Sequence, residues 1–178
     1  KIKGNLKDGL EFENIELASL HNFPEDVYIR IQKLYAGFSS VGIDGLNVDI
    51  DNARLFLPNV DPVVLTGSFN NSKLNFNTYA NLISLNSIQR LIPDLKFPLA
   101  LTGRFKNIDV FIQGDYKRPN VNGYLEVDTL VYNDFSLVQT PINFDVLLNK
   151  KRSQIQITGK VNTKEGSVLS KRTNVKVL

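Results

Sequence analysis

Through most of this chain, apolar and polar residues alternate one by one. Ile108, Val110 and Ile112 interleave with Asp109, Phe111 and Gln113. Val121, Leu125 and Val127 share one parity with Gly123, while Tyr124, Glu126 and Asp128 share the other. Ile142, Phe144, Val146 and Leu148 interleave with Asn143, Asp145, Leu147 and Asn149. A period of two sends successive side chains to opposite faces of a β-sheet, so it predicts strands with one oily and one wet face. Turn chemistry punctuates the runs. Lys117-Arg118-Pro119-Asn120 joins two of them, and Asn133-Asp134 sits between Val131 and Phe135. Asn and Asp tolerate turn geometry, and Pro fixes φ and interrupts pairing.

The same alternation extends toward the N-terminus. Ile2 to Asn5 reads as a short strand, and Asp8-Gly9 as a hairpin turn. Leu10, Phe12, Ile15 and Leu17 form a strand whose alternation is imperfect. A loop with Phe23-Pro24 follows, then the alternating Val27, Ile29 and Ile31. Ser39-Ser40 and two glycines predict a bend within residues 34–42. Leu46, Val48 and Ile50 make another strand, Asp51-Asn52 reads as a turn, and Ala53, Leu55 and Leu57 open a new run. Residues 63–69 and 74–79 predict a hairpin around Asn70-Asn71-Ser72. The tail after Val161 is turn-rich, with a last strand near Asn174.

Only one stretch changes period. Leu85, Ile88, Leu91, Ile92 and Leu95 fall at steps of three and four, which predicts a short amphipathic helix over 85–92. Asn86 or Ser87 is a candidate cap, Pro93 ends the helix, and Arg90 is its only basic residue. The expected role of this helix is a plug over one end or face of a sheet. Leu65-Thr66-Gly67-Ser68-Phe69 recurs as Leu101-Thr102-Gly103-Arg104-Phe105 and again as Ile157-Thr158-Gly159-Lys160-Val161, which suggests stacked hairpins burying a shared face.

The segment from Gly114-Asp115-Tyr116 through Pro119-Asn120-Val121-Asn122-Gly123-Tyr124-Leu125-Glu126-Val127 resembles the repeating unit of TamB and its AsmA-like relatives. The likeness follows the pattern G-x-[FY]-x-x-P-x-V-x-G-x-L-x-V and is strongest over residues 98–149. It implies an all-β, elongated, mostly antiparallel strand array forming an open U-shaped groove, with phospholipid carried between the inner and outer membranes. It implies a periplasmic, bacterial-envelope location and an outer-membrane β-barrel protein as partner. The opening words around Gly4-Asn5-Leu6 and Gly9-Leu10 resemble the unit that follows the inner-membrane anchor of AsmA-like proteins. An anchor upstream is therefore expected, with the chain a fragment of a longer protein. On this reading residues 1–178 are one section, subdivided into 1–97 and a repeat-like 98–178.

Composition and the inventory of reactive residues bound the function separately. With 178 residues, 42% hydrophobic and 22% charged, the chain belongs with folded rather than disordered sequences. A net charge of +3 reads as a solvated surface, and tyrosines are not interleaved with basic runs, so no nucleic-acid partner is expected. The absence of cysteine excludes disulfides, thiolate nucleophiles and Cys-ligated zinc. The single His21 has no nucleophile elbow to serve. Asp49 and Asp51 are spaced as neighbours on one strand face and lack the companions of a calcium loop. Glu126 and Asp128 have the same spacing. No enzyme activity, metal or cofactor is expected.

Two arrangements would satisfy an oily sheet face: two sheets closed as a sandwich, or one sheet left partly open. The groove reading nominates Ile108, Val110, Ile112, Leu125, Val127, Ile142, Phe144 and Val146 as lining for phospholipid acyl chains. The alternative is a scaffold or binding module that docks its partner by strand-edge pairing. Free edges also predict self-association.

Overall fold

The computed structural model describes residues 1–5, 8–18, 27–38, 45–58, 60–91, 98–151, 154–163, 166–170 and 174–177. His21, the Phe23-Pro24 loop and the segment around Pro93 lie outside them. The alternating runs become β1 (Ile2–Asn5), β2 (Gly9–Ala18), β3 (Tyr28–Phe38), β4 (Leu46–Phe56), β5 (Val63–Asn70) and β6 (Lys73–Ser84). The change of period becomes α1 (Leu85–Leu91). Then follow β7 (Leu101–Asp115), β8 (Asn120–Tyr132), β9 (Phe135–Lys151), β10 (Gln154–Asn162), β11 (Gly166–Ser170) and β12 (Asn174–Val177).

All twelve strands belong to one antiparallel sheet that does not close on itself. From β1 to β9 each strand pairs with the next in the chain. The long β9 then holds two partners side by side on its other edge. β10 pairs with residues 143–151 and β11 with residues 135–138. β12 pairs with β11. β6 pairs with β7 from Lys73↔Asp115 to Ser84↔Arg104.

Cross-strand partners share a face, so the register reads out the two surfaces. One row runs Ile2, Phe12, Leu34, Ile50, Gly67, Phe76, Ile112, Val121, Val146, Gly159, from β1 to β10. The adjoining row on the other face runs Lys3, Glu11, Tyr35, Asp49, Ser68, Asn75, Gln113, Asn120, Leu147, Thr158. The first row is apolar or glycine throughout. The second is polar apart from Leu147.

Several strands carry an extra residue mid-way, and one of these positions corrects a sequence expectation. Asp51-Asn52 is not a turn. β4 continues through it, with Asn52 in the left-handed region at φ 51°. β3 continues through Gly37, paired with Asn47, and the bend expected at Ser39-Ser40 lies outside the described residues. Asn14, Asn107 and Gln139 also sit at positive φ inside strands, at 53°, 51° and 46°. At each such position the apolar parity shifts by one. On β2, for example, Phe12 and Ile15 face the same way across Asn14. The imperfect alternation of residues 10–17 has this cause. An extra residue bends the strand and returns the next apolar side chain to the oily face. Asn suits the conformation because its short side chain costs little there.

Candidate apolar binding face

All eight nominated lining residues fall on the oily face. Ile112 and Val146 lie in the row given above. Val110 and Phe144 lie in the next, which runs Ile15, Ile31, Ala53, Leu65, Thr78, Val110, Gly123, Phe144, Val161. Ile108 pairs with Ala80, and Leu125 with Ile142. Val127 pairs with Phe105 and Thr140. The face is wider than the nominated set. Phe12, Leu34, Ile50 and Phe76 extend it toward the N-terminus, in strands whose parity shifts hid the continuity from a two-residue period.

The burial of these side chains follows from a single layer. Ile108, Val110, Ile112, Leu125, Ile142, Phe144 and Val146 are half-buried, shielded by neighbours on their own sheet. Among the described residues no second sheet packs against them, so the sandwich arrangement is not the one adopted. Ile2 and Val161, at the two ends of the rows, are 67% and 66% exposed. Val127 departs from the open-floor expectation, since it is 1% exposed. Part of the sheet has a cover.

That cover is α1. Ser84 caps it: the Ser84 Oγ accepts a hydrogen bond from the Ser87 backbone N–H at 3.0 Å, satisfying one of the free N–H groups of the first turn. The cap thus lies two residues before Asn86 and three before Ser87, the candidates the sequence offered. A Cβ built on Gly103 would lie 2.8 Å from Leu130 Cδ1 and 3.3 Å from Leu85 Cδ1. Leu85 is therefore seated on the oily face, over a glycine that leaves room for it. The expected plug is present at the β6–β7 end of the strands. Leu85, Val127, Ala80 and Thr140 are all buried.

The repeated Thr-Gly words have a common placement. Gly67 pairs with Phe76, Gly103 with Leu130 and Gly159 with Val146, each on the oily face. A Cβ at Gly67 would come within 2.1 Å of the Asn75 carbonyl oxygen, and one at Gly159 within 2.1 Å of the Asp145 carbonyl oxygen. Glycine is required where adjacent backbones approach this closely.

The opposite face is laced by charge. Lys106 Nζ lies 3.0 Å from Glu126 and 3.7 Å from Asp128, and Arg104 lies 2.8 Å from Asp128. Glu126 and Asp128 are thus each paired with a cation. The hydrogen bond to Glu126 holds the Lys106 ammonium above its usual range. Lys3 binds Glu13 and also approaches Glu11, holding the Glu13 carboxyl below its usual range, chiefly through that hydrogen bond. Asp49 accepts a hydrogen bond from Asn70, and no group of metal-ligating side chains occurs among the described residues. No helix among them is long and apolar enough to cross a membrane.

These features define an open, all-β sheet protein with an oily and a charged face. Comparison of the chain with protein families, curated proteins and solved structures gives no match.

Proposed function

We propose that the oily face holds phospholipid acyl chains and conducts them, without chemistry on the lipid, between the inner and outer membranes of a bacterial envelope. The observation that carries this reading is the unbroken apolar row from Ile2 to Gly159 on a single-layer sheet. Exposed apolar surface on this scale is costly in water and marks a ligand or partner site. Acyl chains suit it, because each buried methylene contributes about 0.8 kcal/mol with no directed contact. Half-buried side chains on most strands from β2 to β9 supply that surface, so a chain can slide without losing contact. In this reading the protein works in the periplasm, held to the inner membrane by a segment beyond residues 1–178. Native mass spectrometry of the purified protein tests the proposal. Co-purified phospholipid is the expected result, and a lipid-free spectrum after gentle isolation from membranes argues against it.

A second reading has one observation in its favour. Among the described residues β10 has β9 as its only strand partner, so a row of backbone groups stands free along residues 154–162. An outer-membrane β-barrel protein docking by strand addition would use this edge. Lipid-free protein that binds such a barrel would favour scaffold over conduit.

A further inference from the structure

On the charged face, at the bend of β2, β3 and β4, lies a concavity of about 440 Å³. Its walls include Arg30 and Arg54, with Glu16 and the amides Asn14, Gln32 and Asn52 around them. The left-handed Asn14 and Asn52 turn their strands at this point, and so shape the hollow. Ile15 and Ile31 also border it, but Glu16, Arg30 and Arg54 pair across the strands in the parity opposite to the oily rows, so the argument that follows is independent of the lipid-conduit reading.

Arg30 and Arg54 are direct cross-strand partners. Like charges placed opposite one another destabilise a sheet unless something neutralises them. Glu16 answers for Arg30 alone: its carboxylate accepts from Arg30 Nε at 2.8 Å. Arg54 has no carboxylate partner among the described residues, and its Nε donates to Asn52 Oδ1 at 3.1 Å. Asn52 in turn donates to Gln32 Oε1 at 3.0 Å. This chain of bonds fixes the Arg54 stem and leaves its terminal nitrogens for another acceptor. Arg30 is held from the other side. Its guanidinium carbon lies 5.2 Å from the Tyr28 ring and 5.4 Å from the Phe56 ring, and the two rings stack at 4.6 Å. Two oriented guanidinium groups, both with Nε already engaged, share one hollow with a single carboxylate.

We infer that this hollow is a binding site for a phosphate group, gripped between the terminal nitrogens of Arg30 and Arg54. Planar guanidinium forks match the oxygens of phosphate, and charge-assisted hydrogen bonds of this kind are the strong ones. The phosphate belongs either to a lipid headgroup at a membrane surface or to a soluble phosphate ester. Both offer the same oxygens.

The test titrates the labelled protein with inorganic phosphate at constant ionic strength and follows amide and arginine Nε–H resonances. Saturable shifts are expected at Arg30, Arg54, Gln32 and Asn52. Arg54→Gln should weaken half-saturation by about tenfold, the loss of one charge-assisted contact. Lys73→Gln, on the same face but outside the hollow, should leave the titration unchanged. Arg54→Gln removes a like-charge pair and is expected to fold. Arg54→Lys, which keeps the charge and loses the fork, repeats the comparison should it not. Flotation with phosphatidylcholine vesicles containing phosphatidylglycerol then separates the sources. Binding lost in Arg54→Gln assigns the headgroup, and phosphate saturation without such binding assigns the soluble ester. Shifts that never saturate, or that are equal in the parent, Arg54→Gln and Lys73→Gln proteins, overturn the site.

Discussion

Phe144 and Val127 occupy the same face of the sheet, yet a charge should affect them in opposite ways. Phe144 is half-buried in an uncovered row. An arginine there can extend past its neighbours to water, so Phe144→Arg should melt close to the parent while losing lipid crosslinks. Val127 is sealed, and the same substitution traps a cation without a partner. Val127→Arg should therefore lower stability by about 3 kcal/mol or more, read as a drop in denaturant midpoint. Equal melting of the two variants would show that the rows are not open. Gly123 is sensitive for a different reason. A Cβ there would sit 2.3 Å from the Asp109 carbonyl oxygen, so Gly123→Ala must push β7 and β8 apart. A cost of about 1–3 kcal/mol is expected, with urea unfolding as the measurement.

At the scale of the element, the strands that the two-residue period located were the ones it described best. The hairpin around Asn71-Ser72, the turns at Lys117 and Asn133-Asp134, and the helix at Leu85 follow from local chemistry, and a local reading finds them. The error fell at Asp51-Asn52. There, turn-forming residues sit inside strands because pairing on both sides overrides their preference. An asparagine between two apolar runs reads the same whether it ends a strand or bends it, and only the partner strand decides. The oily face was legible on β7, β8 and β9, whose central rows keep strict parity. On β2 to β4 the parity shift hid it, and the Arg30–Arg54 hollow depends on a register that no single strand encodes. The bends themselves can be tested. Asn107, at φ 51°, should tolerate glycine, whereas Asn107→Val should cost about 1–2 kcal/mol. Parallel thermal melts of the two variants check this, and a valine variant as stable as the glycine one would contradict the left-handed assignment.

For the whole molecule, an open sheet leaves edges that a barrel would close. β1 is short, with Ile2 67% exposed, and β10 carries Val161 at 66%. We expect self-association through one or both of these strands. Light scattering should show mass rising with protein concentration, and a constant monomer mass up to high concentration would count against edge pairing.

The order of the strands has one more consequence. From β1 to β9 every strand finds its partner in the strand next to it in the chain, so the sheet can be built one strand at a time, even though the paired residues themselves are often far apart in sequence. Such a protein behaves as a nearly linear row of couplings, like a zip fastener rather than a knot. It can close progressively behind a moving ribosome or a secretion pore, and under load it should open from its ends, with the middle strands last to give way.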